Sequence, residues 1–243
     1  MAKPRDNRQK DLLRPALEDI IDLAHPLVRL AREIDWQFLD SRFASVCTSG
    51  PGQPPLPTRL VAGLFILKHM HDLSDEVLCA RWLENPYYQF FCGEVSFCHK
   101  LPFERSSLTH WRQRLGEKHL VALVQESLSV AHKTGALATR DLERVVVDTT
   151  VQPKAIAHPT DARLCHRIRR EMRRRAAVEP VIGHAKAEHR MGRNYLKGRD
   201  GDRINAVLAA AGYNFGLLLR WLARLLRALF QALAATSLSV RLV

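Results

Sequence analysis

Only one stretch of this chain reads as a buried β-strand, and that fact constrains the fold more than any other. The stretch is RVVVDTT, Arg144 to Thr150, a run of β-branched bias that ends by delivering an acid, Asp148, at its tip. A strand without neighbours leaves its backbone donors and acceptors unpaired, which is costly in an interior. No other segment reads as a partner for it. The rest of the 243 residues, 47% hydrophobic and long enough for a real core, must therefore bury its apolar surface between helices, and the expected fold is mostly α.

The helical pattern begins after a polar lead of about 15 residues. From Ala16 to Phe43 apolar residues recur at helical spacing, with Pro26 dividing them into two short helices. Ser49 to Pro57, SGPGQPPLP, is a connector. Thr58 opens a helix through His71. Ser74, followed by Asp75 and Glu76, has the acceptor and the acids that suit the positive end of the next helix. That helix should stop at Asn85 because Pro86 disfavours helical geometry before it. Two further helices are expected over Ser107–Leu115 and His119–Lys133, with Gly135 as the stop. A final amphipathic helix should run over about 203–234. Two domains follow from this pass: helical residues 16–139, with helix-turn-helix character, and residues 140–243.

Charge is unevenly spread. The formal net charge is +12. Residues 1–159 hold 20 Lys/Arg against 19 Asp/Glu, whereas residues 160–243 hold 17 against 6. A polyanion-binding surface is therefore expected in the last third, with a solvated basic face as the plainer alternative. In the first domain, Arg112 and Arg114 beside Trp111 are candidates for DNA contact, against the reading of a solvated bundle face.

Five cysteines without a CxxC pair argue for buried thiols in a reducing compartment and against a disulfide framework. Cys92, Cys98 and His99 lack a second ligand pair at metal-site spacing. The first residues lack the apolar core of a signal peptide. Arg220, Arg224 and Arg227 interrupt the late apolar run, which reads as an amphipathic helix and not as a membrane span. A cytoplasmic chain with no membrane partner is expected.

The runs VDTTVQPKAIAHPTDARL and AAVEPVIGHAKAEHRMGRNYLKGRDGDRINAVLAAAGYNF, preceded by CARWLENPYYQFFCGE and LPFERSSLTHWRQRLGE, closely resemble insertion-sequence transposases of the family numbered five. The upstream text is similar to their InsH-type N-terminal domain. The resemblance covers about Arg29 to Leu222 and implies a DDE transposase: a ribonuclease-H-like domain in which two Asp and one Glu hold two Mg²⁺ ions for DNA cleavage and strand transfer at inverted-repeat ends. The first Asp falls on Asp148. The signature Tyr-x₂-Arg-x₃-Glu-x₆-Lys falls on Arg175, Glu179 and Lys186, with Met172 in place of the Tyr. Asp148 and Glu179 are thus the implied catalytic and metal-binding residues. Lys186, the signature Lys, is the implied contact to the transposon end; Arg174, Arg175, Arg190, Arg193 and Lys197 are candidate DNA contacts because they belong to the same basic stretch, with Arg112 and Arg114 added from the first domain.

Family members separate the outer acids by over a hundred residues, yet here only residues 149–178 lie between Asp148 and Glu179. Thirty residues, many of them Arg, cannot supply a five-stranded sheet, and no second Asp occupies its place. The expectation is an internal deletion that leaves a truncated ribonuclease-H-like remnant with little β structure and defective catalysis. On the plainer reading Asp148 caps a short strand and Glu179 pairs with Arg175 one turn away. The alternative function is a DNA-binding remnant that inhibits or regulates full-length transposase. Double-stranded transposon-end DNA, a homo-oligomer and full-length transposase are the expected partners.

Overall fold

The structure is a computed structural model that describes residues 15–43, 56–138, 176–194 and 198–240. Among the described residues it is mostly helical and contains no strand, only an isolated antiparallel bridge between Ala16 and Ser96. The strand expected at 144–149 lies outside the described residues, as does the ribonuclease-H-like remnant around it.

The first expected pair of helices is in fact three short ones, α1 (Leu17–Ile20), α2 (Pro26–Glu33) and α3 (Trp36–Phe43). Pro26 breaks nothing: it occupies the first position of α2, where its missing N–H is no loss. His25 caps that helix through Nδ1, which accepts from the Leu27 amide at 3.1 Å. Helix α4 (Thr58–Met70) lies in the centre, and its side chains from Leu60 to Met70 are all buried.

A four-residue turn leads to α5 (Asp75–Glu84). Ser74 caps it as its sequence requires, its Oγ accepting from the Val77 amide at 3.2 Å. Asn85 ends α5 and caps α6 (Pro86–Phe91), accepting from the Tyr87 amide at 2.9 Å. Helix α7 (Ser107–Lys133) contains both helices expected here, broken at Gly116, whose φ of +53° is a left-handed geometry that favours glycine. Gly135, at φ +75°, follows its end.

Beyond the undescribed interval come α8, residues 176–188, and α9 (Gly198–Val240). At 43 residues α9 is about 65 Å long. It packs on α7, α4 and α2. Ile204, Leu208, Ala211, Phe215, Leu218 and Leu222 recur at alternating intervals of four and three, and all six are buried in the same core as Phe43, Phe65, Trp82 and Phe91. One core therefore draws on residues from both sides of 139/140. The stripe loses its cover past Leu222: Leu225, next in the series, is 39% exposed. The span Gly198–Ala228 is apolar and long enough to cross a membrane, a test that core helices also pass, and 44% of its most apolar window is buried within the fold.

Candidate nucleic-acid interface

Charged side chains gather where the end of α4, the start of α5, the first turns of α7 and the α8–α9 connector meet. The ordering begins with an apolar constraint. Helix α9 lies so close to α4 at Gly212 that a Cβ there would stand 2.5 Å from the His69 Cβ and 2.6 Å from its carbonyl carbon. This close approach brings the connector over the end of α4. His189, buried in the connector, donates from Nδ1 to the His69 carbonyl at 2.7 Å, and its ring meets Tyr213 edge-on. Asn205 in α9 donates to the carbonyls of Arg190 and Met191 at 3.3 and 3.0 Å.

Arg190 then reaches Asp72, with Nη1 at 3.3 Å from its carbonyl and 3.4 Å from Oδ1. Arg193 reaches the other oxygen, Oδ2, at 3.4 Å. Both partners of the Arg190–Asp72 pair have left-handed backbones, at φ +64° and +50°. Aspartate tolerates that region, but arginine pays about 1 kcal/mol or more for it. The surrounding packing holds both in place.

A second carboxylate serves the same junction. Arg112 grips Asp75 with two parallel hydrogen bonds, Nη1–Oδ1 at 3.1 Å and Nη2–Oδ2 at 2.8 Å, and Nη2 also donates to the Thr109 hydroxyl at 3.0 Å. Lys68 Nζ binds Asp75 Oδ1 as well. Lys68, Arg112 and Arg190 are only 4, 8 and 5% exposed, so three cations are held in the interior around two shared carboxylates. Burial, reinforced by the charges of Arg112 and Arg190 and opposed by Asp75, lowers the Lys68 ammonium to about 8. Burial alone raises the Asp75 carboxyl. The hydrogen bonds and charges of Arg112 and Lys68 outweigh that effect and hold it below its usual value.

The sign of the pH dependence follows. Folded Asp75 binds its proton less tightly than the unfolded chain, whose aspartates titrate near ~3.9. Its stabilisation is full above that value and is lost as pH falls through the lowered folded one. Urea unfolding between about pH 3 and pH 6 should show stability falling on the acid limb. Asp75→Asn, which removes the titrating group, should flatten that limb.

Of the sequence-predicted residues, the structure brings Arg112, Arg190 and Arg193 together in this junction. Arg114 is exposed on α7, and Glu179 and Lys186 are exposed on α8. Asp148, Arg174, Arg175 and Lys197 lie outside the described residues. Among the described residues no group of three His, Cys, Asp or Glu is placed to hold a metal. Glu179, a single exposed carboxylate, does not by itself fit a Mg²⁺ cage, which needs several converging oxygens. Cys79 and Cys92 are buried thiols and Cys98 is half-buried; burial pushes the Cys92 thiol up and leaves it unreactive.

Sequence reasoning missed Lys68, Asp72 and Asp75 as members of this junction. The one available signal was Lys68 itself, a charge that follows the apolar run from Leu60 to Leu67 in a helix whose residues from Leu60 to Met70 are all buried.

Comparison with known proteins adds two findings. Residues 15–114, from α1 through the first part of α7, match the family model described as Transposase domain (DUF772). The chain is also 48% identical over 178 residues to a Rhizobium meliloti protein described as "Uncharacterized protein ORF8 in nfe locus", an alignment covering 73% of this chain and 81% of that protein. No solved structure matches the chain.

Proposed function

We propose that the chain, which belongs to one family with the Rhizobium meliloti protein and matches a transposase domain over residues 15–114, is a derivative of an insertion-sequence transposase that binds transposon-end DNA without cutting it. In this reading the parent enzyme is of the DDE type and of the family numbered five, and an internal deletion has removed the middle of its catalytic domain. The remnant competes with full-length transposase for DNA ends or joins it in inactive mixed oligomers.

One observation carries the reading. The N-terminal domain and the C-terminal helix share a single core, so the body that presents the basic residues has no need of a catalytic sheet. Lys186, Arg114 and Arg193 are exposed on that body and are suited to phosphates, because Lys and Arg contacts require only reach and charge. Strand transfer asks more. Two Mg²⁺ ions must clamp the attacking and leaving oxygens, and the interval of 30 residues between Asp148 and Glu179 leaves no room for the scaffold that would hold them.

A mobility-shift titration of the full chain on duplex DNA at two salt concentrations tests the binding claim. Affinity should fall steeply with salt, and Lys186→Gln should weaken binding and reduce the salt slope by about one. A chain that shifts no duplex at low salt would overturn the reading. With labelled transposon-end duplex and Mg²⁺, no strand cleavage is expected. Robust cleavage abolished by Asp148→Ala would show that the catalytic centre is intact.

A further inference from the structure

A cavity of about 550 Å³ opens directly on the charged junction. Its cations are Lys68, Arg190 and Arg105, and its hydroxyls are those of Ser74, Ser106 and Thr109. We infer that this cavity takes a phosphate group of bound DNA, an inference that rests on the DNA-binding reading above and gives it a specific contact point.

Asp75 serves both Lys68 and Arg112, and Asp72 serves both Arg190 and Arg193. Four cations thus meet two carboxylates, each of which can neutralise only one of its pair. At the mouth Arg105 pairs with Glu76 at 3.1 Å, and Glu104 sits on the exposed rim. The cavity wall itself carries three cations, Lys68, Arg105 and Arg190, and three carboxylates, Asp75, Glu76 and Glu104; the excess of one arises behind the wall, where Arg112 and Arg193 add two charges and Asp72 removes one. Water screens the rim, where Glu76 and Arg105 side chains are 71 and 60% exposed. Arg193 is exposed as well, but Lys68, Arg112 and Arg190 are withdrawn from water and share Asp75 and Asp72, so one excess charge lies in the interior, where it is most costly and a counter-ion most favourable.

The hydroxyls favour an acceptor too. Ser74 Oγ accepts from the Val77 amide and Thr109 Oγ1 accepts from Arg112. Each therefore directs a lone pair into the protein and has its own proton left to donate. Ammonium, guanidinium and hydroxyl donors converging on one open cavity match a tetrahedral oxyanion with several acceptor oxygens. The lowered Lys68 ammonium agrees with this: burial and two neighbouring guanidiniums destabilise its charge, and an anion in the cavity would relieve that.

Ser106 supplies the test. It is exposed, lines the cavity, and stands at the N-cap of α7 with no capping hydrogen bond of its own. Aspartate is as acceptable there as serine, since negative charge suits a helix N-terminus. Ser106→Asp should therefore fold normally while placing a carboxylate where the phosphate would sit. The thermal midpoint of the full chain is followed with rising inorganic phosphate against chloride at matched ionic strength. The wild-type chain should show a saturable rise. Ser106→Asp should bind phosphate at least about tenfold more weakly, the scale of a charge-assisted contact. General salting-out raises both proteins equally and cancels in the comparison. Lys68→Gln is a second variant that should lose the saturable shift.

Duplexes with 5′-phosphate and with 5′-hydroxyl ends, added as competitors, identify the source. Competition by both supports an internal backbone phosphate, and competition by the phosphorylated duplex alone supports a terminal one. A saturable phosphate shift with no duplex binding keeps the cavity assignment and sinks the DNA reading. No saturable shift in the wild-type chain, or one fully retained in Ser106→Asp, overturns the cavity assignment, and Lys186-dependent duplex binding would then stand without it.

Discussion

Gly212→Ala is expected to be the most damaging glycine-to-alanine change among the described residues. The added carbon would lie 2.5–2.7 Å from the Cβ, carbonyl carbon and carbonyl oxygen of His69, and two of those three atoms belong to the backbone of a buried helix. A flexible side chain could swing aside, but α4 cannot, so α9 must lift along its length. Overpacking a core commonly costs 1–3 kcal/mol and occasionally more. Here a loss of about 3 kcal/mol is expected, because the lift also disturbs the His189 and Asn205 hydrogen bonds that seat the connector. Urea unfolding of the full chain measures it. Gly183→Ala is the control: nothing lies within 4 Å of a Cβ there, and on the exposed helix α8 it should be neutral or stabilising by up to about 1 kcal/mol. Equal behaviour of the two variants would refute the close α4–α9 approach.

Asp75→Ala should be at least as severe. Asp75 is the carboxylate on which both Lys68 and Arg112 close, and its loss strands two cations that are almost completely withdrawn from solvent. Removing one partner of a buried ionic group costs about 3–5 kcal/mol because the remaining charge is uncompensated. Asp75 also stands in the first turn of α5, where an acid is favoured. Arg193→Gln, which breaks an ion pair from a side chain 57% exposed, should cost under about 1 kcal/mol. Chemical denaturation of both variants checks the order. A reversed ranking would place the organising charge at Asp72 and not at Asp75.

The elements that could be read from sequence are those whose signal is local. Ser74 with its two following acids, Asn85 before Pro86, and Gly135 after a long apolar pattern each mark a boundary through chemistry within a few residues, and each boundary is found close to where that chemistry puts it. Pro26 illustrates the limit of the method. Proline stops one helix and starts another equally well, and the sequence does not say how many helices it separates.

The junction was illegible for a different reason. Arg112 reads as one more cation on a helix, and its proximity to Asp75, 37 positions earlier, is a product of packing. Arg190 belongs to a basic stretch in sequence, and the structure directs it at Asp72, 118 positions away. Gly212 is the sharpest case. Within a helical pattern a glycine registers as a weakness, whereas here it is the point at which two helices meet most closely. Net charge marks the last third of the chain as basic but does not distinguish cations facing solvent, such as Lys186, from those facing a carboxylate.

The way α9 returns to the body built by α1–α7 bears on how such a chain tolerates change. Helix α7 on one side and the buried Ala185 and His189 on the other are fixed to that body, so the chain between them begins and ends on it. Closing a longer excursion costs only about 0.6 kcal/mol for each doubling of its length. Sequence can therefore be gained or lost between those points at little cost to the helices on either side.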